Sequence, residues 1–108
     1  MHSMRSQKSD KGKSIMYLKI HKKGIVSLCD RELVGKEFQE GDVVLNVNKR
    51  FYQGKEASKE EISEALKEAK TINLVGEKSI ALAIEEGVLT QDSVKYVQSV
   101  PHAQVYQL

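Results

Sequence analysis

The stretch from Thr71 to Gly87 most restricts what this chain can become. A short apolar run (Ile72, Leu74, Val75) meets a single glycine, Gly76. Apolar residues at helical spacing follow (Ile80, Ala83, Ile84) and stop at Gly87. That pattern predicts a strand, a tight turn and a helix over about 77–86. A helix opening directly behind a glycine presents unpaired backbone N–H groups and the positive end of its dipole, a place where anions are held. Glu77 stands at that mouth, so the residues leave two readings open: a phosphate-type site, or a helix whose own carboxylate fills the anion position.

The chain of 108 residues fits one domain able to bury a core without disulfides or metals. Apolar residues at 40% and charged residues at 30% are ordinary for a soluble protein, and no apolar run approaches the roughly 20 residues that span a bilayer. No membrane partner is expected. The beginning of the chain lacks the apolar core of a secretory signal, and Cys29 is the sole cysteine, which together predict a reducing, intracellular compartment. The net charge of +2 divides unevenly. Residues 1–14 carry Arg5, Lys8, Lys11 and Lys13 against Asp10, or +3, which leaves 13 basic and 14 acidic side chains, or −1, for residues 15–108. The first segment, poor in apolar residues, is predicted to be a disordered basic tail, in part of the kind that expression vectors add. The remainder is predicted to be the folded domain, and with so little net charge any nucleic-acid contact there must come from a local patch.

Alternation of Met16, Leu18 and Ile20 with Tyr17, Lys19 and His21 predicts a half-buried strand. Lys22-Lys23-Gly24 supplies a turn, and Ile25 to Leu28 the return strand. Asp30 is placed to cap a short helical turn through Val34, closed by Gly35. Val43, Leu45 and Val47 predict another strand, broken after Tyr52 by Gly54. Ser58 and Glu61 have capping-box spacing, and Ile62, Ala65, Leu66 and Ala69 follow at i, i+3, i+4 and i+7, which predicts a helix over about 58–69. Val88 and Leu89 are placed to fold back on the second helix, and the β-branched content of Val94 to Val97 favours a strand, with a helix from Asp92 as the alternative. Pro101 has no N–H, so the last strand is expected to begin after it, around Ala103. The order of elements predicts an α+β class: a small single-domain sandwich of a mixed β-sheet with two main helices.

Four constellations could carry chemistry. Cys29 and His102 are the only nucleophile and base that could pair, but Asp30 beside the thiol opposes thiolate formation, and a buried structural cysteine is the commoner role. Three scattered histidines and one cysteine give no metal-ligand spacing, so neither metal nor cofactor is expected. Lys49, Arg50, Phe51 and Tyr52 put two cations beside two rings, the combination that single-stranded RNA takes as phosphate contacts and stacking surfaces; His21, Lys22 and Lys23 at the hairpin turn extend it. Its plainer role is two rings shared between core and surface beside a solvated basic pair. His102 and Gln104 share one strand face, and with Asn73, Gly76 and Glu77 they could converge on a small ligand where the central strand meets its helix. In the alternative, His102 only fixes the turn through a carbonyl.

Taken together and in order, Cys29-Asp30, Leu33-Val34-Gly35-Lys36, Gly41-Asp42, Arg50-Phe51-Tyr52, Asn73-Leu74-Val75-Gly76-Glu77 and Val100-Pro101-His102-Ala103-Gln104 resemble a small archaeal family, the domain of unknown function numbered 424. The resemblance spans about residues 15–108 and is specific as a set. It implies a cytoplasmic, single-domain archaeal protein with no assigned activity and no catalytic residues to carry over. A loose association of the family with translation genes favours RNA. The reading that follows is a non-catalytic binding module for RNA or a ribosome-associated protein partner. The alternative is a small enzyme or metabolite binder at Asn73, Gly76, Glu77, His102 and Gln104. A homo-dimer formed through an exposed terminal strand edge is the third possibility.

Overall fold

A computed structural model describes residues 16–108. The basic tail expected over residues 1–14 lies outside the described residues. Among these, no helix is long and apolar enough to cross a membrane.

The amino-terminal hairpin forms as its alternation requires. β1 (Met16–Ile20) pairs antiparallel with β2 (Ile25–Asp30), with Leu18 opposite Leu28. Lys23 and Gly24 make the turn with positive φ angles of 65° and 77°. β2 then lies parallel to β6 (Thr71–Val75), which is antiparallel to β8 (Val100–Tyr106). The short strands β5 (Lys55–Glu56) and β7 (Lys95–Val97) close the two edges, giving the order β5-β1-β2-β6-β8-β7. A separate hairpin, β3 (Glu37–Glu40) and β4 (Val43–Asn46), completes the strands. This is a mixed sheet, and the α+β expectation holds.

Among the described residues three α-helices join it: α1 (Lys49–Tyr52), α2 (Lys59–Glu68) and α3 (Glu77–Glu85). α2 starts on the expected box: Ser58 Oγ accepts from the Glu61 amide at 3.1 Å, and Glu61 Oε1 accepts from the Ser58 amide at 3.1 Å. α3 ends on Gly87 (φ 81°), whose amide reaches the Ile84 carbonyl while the Val88 amide reaches Ala83, as a left-handed C-cap demands. Val88 and Leu89 fold back as expected.

The sheet has a core on each face. Leu18, Leu28, Ile72, Leu74 and Ala103 pack with Ile62 and Leu66 of α2 and Ile80 and Ala83 of α3. On the other face Cys29, Val75 and Val97 pack with Leu45 and Val47, flanked by Phe38 and Tyr52. The β3–β4 hairpin and α1 therefore form a partial third layer.

The terminal strand departs from expectation in two ways. β8 begins before Pro101, and it pairs with β7 over residues 100–102 and with β6 over residues 102–106, so that Pro101 lies inside a strand with β7 on one side and the end of the β6 ladder on the other. The two-residue turn Gln98-Ser99, both at positive φ, makes Val97 and Val100 a hydrogen-bonded pair, so Pro101 turns its backbone away from β7. Towards β6, the Pro101 carbonyl accepts from the Gly76 amide at 2.8 Å. The return bond from a residue 101 amide is not needed, because the Gly76 carbonyl already accepts from Ile80 at the start of α3. Proline sits where the ladder has given way to a helix.

Candidate nucleic-acid interface

The Lys49-Arg50-Phe51-Tyr52 cluster is a single helical turn. Asn48 starts it, its Oδ1 accepting from the Phe51 amide at 2.8 Å. Gly54 lets the chain pass directly over β1, since a Cβ there would overlap the Leu18 carbonyl. The turn is fastened to the sheet from below. Ser27 Oγ donates to the Phe51 carbonyl at 3.0 Å, and Lys19 Nζ donates to the Arg50 carbonyl. His21 Nε2 lies 3.2 Å from Ser27 Oγ, and its ring stacks on Phe51 with centroids 4.3 Å apart and an interplanar angle of 18°. Burial, with Lys19 nearby, holds the His21 pKa below its ordinary value against the opposing Phe51 carbonyl, so the stacked imidazole is neutral at pH 7.

The two rings of the cluster have different surroundings. Tyr52 meets Phe51 edge-on at 4.9 Å and packs into the second core, where burial and then Cys29 push its hydroxyl up to about 12. It is a core residue more than a stacking surface. Phe51 is half-buried, and Lys49, Arg50, Lys22 and Lys23 are exposed around the His21–Phe51 stack. β1, its turn and α1 together contribute Lys19, Lys22, Lys23, Lys49 and Arg50 with no carboxylate. Glu60, Glu61, Glu64, Glu68, Glu77 and Glu85 lie on α2 and α3, in the helical layer over the opposite face. The near-zero charge of the domain hides this local cluster, beside which the β3–β4 hairpin on the same face carries Glu37, Glu40 and Asp42, and the helices carry Lys59, Lys67 and Lys78.

The residues expected to share a ligand pocket divide. Asn73 stands opposite Gln104, and Gln104 Nε2 donates to Asn73 Oδ1 at 3.1 Å. Both alternate with core residues Leu74 and Ala103, so they face away from α2 and α3. His102 shares that face. Burial lowers its pKa, assisted by Lys95 and opposed by the Val100 backbone, and its Nδ1 is buried without a partner at hydrogen-bonding geometry. Glu77 instead lines a groove on the helical side with Ile80, Ala81, Ile84, Gln91, Tyr96 and Pro101.

The amides behind Gly76 are not free for a ligand, nor does Glu77 fill them. The buried Asp30 carboxylate does: Oδ2 accepts from the Lys78 amide at 3.0 Å, and Oδ1 accepts from the Ser79 amide at 2.9 Å and the Ser79 hydroxyl at 2.8 Å. Asp30 thus caps α3 and makes no side-chain cap on the turn Arg31–Leu33, where the sequence placed it. Gly76, at φ 109°, is required because a Cβ would overlap the Asp30 carboxyl group. Cys29 is fully buried, and burial together with Asp30 and Glu32 pushes its thiol up to about 12, an inert state at neutral pH. Among the described residues, no three His, Cys, Asp or Glu side chains gather as a metal site needs.

Lys19 and Ser27, which fasten α1, do not stand out in the sequence as site residues. Lys19 is legible in the alternation that puts it on the face of His21, but Ser27 has no sequence signal, because its role depends on a turn 24 residues away.

Comparison with known proteins gives a family and one fold relative. Residues 18–108 match the family described as a protein of unknown function, DUF424. The chain is similar to a crystal structure of an uncharacterized conserved protein from Methanopyrus kandleri, with 30% identity, a TM-score of 0.73, and coverage of 86% of this chain and 91% of that one. No curated protein matches.

Proposed function

The chain belongs to the DUF424 family, and from that premise we propose that it is a module that binds single-stranded RNA across α1 and the adjoining sheet face. The observation that carries this reading is the His21–Phe51 stack fastened through Ser27 and ringed by Lys22, Lys23, Lys49 and Arg50. Single strands offer phosphates to such cations and unstacked bases to such rings. The local charge supports it further, since β1, its turn and α1 bring five cations together without a carboxylate among them.

Fluorescence anisotropy of a labelled oligouridine, titrated at several salt concentrations, tests the reading. Affinity should fall with salt, and the double variant Lys49→Ala/Arg50→Ala should flatten the logarithmic slope by about 0.7 for each phosphate that the variant no longer neutralises. Both side chains are exposed, so the fold should survive the substitutions. Absence of salt-dependent binding, or a variant slope equal to that of the wild type, would reject the proposal.

A further inference from the structure

We infer that Tyr106, Gln104 and Asn73 form a base-reading subsite for single-stranded RNA on the half of the sheet that α1 and the β3–β4 hairpin leave uncovered. The inference rests on the RNA reading above and extends it from the His21–Phe51 patch to a second place of base contact on the sheet.

Strand alternation builds the surface. Leu74, Ala103 and Val105 point into the helical core, so Asn73, Gln104 and Tyr106 point the other way, with Tyr106 opposite Thr71. The second core and α1 cover Cys29, Val75, Val97 and Ser27. Among the described residues no such layer lies over Tyr106, which is 72% exposed. An exposed ring on a sheet beside polar side chains is the arrangement on which sheet-based RNA readers stack bases.

The Asn73–Gln104 pair adds hydrogen-bonding capacity beside that ring. With Gln104 Nε2 donating to Asn73 Oδ1, the Asn73 amide N–H groups and the Gln104 carbonyl remain to face a ligand. Reversing both amides leaves the same complement, one donor beside one acceptor. The hydrogen-bonding edge of each nucleobase carries an adjacent donor and acceptor, so the pair fits any base by choosing its orientation. A phosphate, which only accepts, would leave the free carbonyl unpaired. The subsite therefore takes a base and has little preference among bases.

Its position is continuous with the cationic patch. Ser27, which holds α1, stands beside Asn73 in the β2–β6 register, and Asn73 beside Gln104. The step from Ser27 to Gln104 is two strand spacings, roughly 10 Å. A strand whose phosphates lie along α1 and the Lys22-Lys23 turn can thus lay a neighbouring base on Tyr106.

Anisotropy titrations should compare labelled oligouridine and oligoadenosine with an abasic ribose-phosphate chain of equal length. Wild-type protein should bind both base-containing strands similarly and the abasic strand at least about fivefold more weakly. Tyr106→Ala and Gln104→Ala should each reduce that difference at least about twofold while leaving abasic binding unchanged, and Tyr106→Phe should retain it in full. If oligouridine binds but the abasic strand binds equally well, or if the alanine variants keep the full difference or weaken both kinds of strand alike, the subsite is wrong while the RNA reading stands. If no strand binds, both fail.

Discussion

The buried carboxylate of Asp30 ties the end of β2 to the first turn of α3. Replacing it with alanine strips three hydrogen bonds from the first turn of α3. The losses are unequal. The Ser79 amide belongs to a buried residue, and leaving it unsatisfied costs about 1–3 kcal/mol. Lys78 is exposed and its amide can turn to water, so its loss is small. Removing a negative charge from a partly buried helix start adds up to about 2 kcal/mol. Asp30→Ala should therefore destabilise the domain by roughly 3–4 kcal/mol, lowering Tm by roughly 12–30 °C for a domain of this size. Asp30→Asn keeps one accepting oxygen for Ser79 but sets an N–H₂ group against the Lys78 amide, and should lose about half as much. Glu77→Gln is the control: Glu77 makes no cap and is exposed, so the change should stay within about 0.5 kcal/mol. Urea unfolding followed by circular dichroism reads all three. Equal losses for Asp30→Ala and Glu77→Gln, or an Asp30→Ala loss below about 1 kcal/mol, would refute the assignment of the cap.

Two further outcomes follow from the geometry. Gly54→Ala should destabilise strongly and detach β5, because the new methyl would overlap the Leu18 carbonyl, whereas Gly87→Ala, at φ 81° with open space around it, should cost only about 1 kcal/mol of backbone strain; comparing their thermal melts checks this, and equal effects would contradict it. The pKa values of His21 and His102 are both lowered by folding, so the folded state holds fewer protons. Stability from these residues is full above their unfolded value of about 6.5 and is lost as pH falls through the lowered values. Tm should decline on acidification from pH 7 in the wild type and less steeply in a His21→Phe variant, and parallel curves would remove His21 from the account.

Local signals in the sequence are good guides, and distant ones are not. The Ser58–Glu61 box, the Gly24 turn and the left-handed Gly87 are readable because each is completed within a few residues. The turn of α1 carries a fair signal too, Asn48 three residues before Phe51, obscured by the rings and charges that follow. β3 is hidden because Glu37, Gln39 and Glu40 face solvent and leave Phe38 alone to mark a strand. Asp30 reads as the cap of the turn beside it, since nothing local reveals that parallel pairing of β2 with β6 carries it to a helix 48 residues on. Pro101 misleads for the same reason: the rule against proline in a ladder is sound, but the ladder at that point has already become a helix. Of the candidate sites, the basic and aromatic cluster is legible as composition, whereas the split between Glu77 and Asn73 needs the faces of the sheet.

The two long helices differ in how independently they can form. α2 carries both halves of its box within four residues, so its first turn can be nucleated by its own segment early in folding. α3 borrows its opening contact from the far end of a strand that must first find its neighbour across a long loop. Assembly should accordingly be ordered, with this helix maturing only after the central strands register. Any excursion that peels the amino-terminal hairpin away should fray α3 at the same instant, making these separated segments one unit in hydrogen exchange.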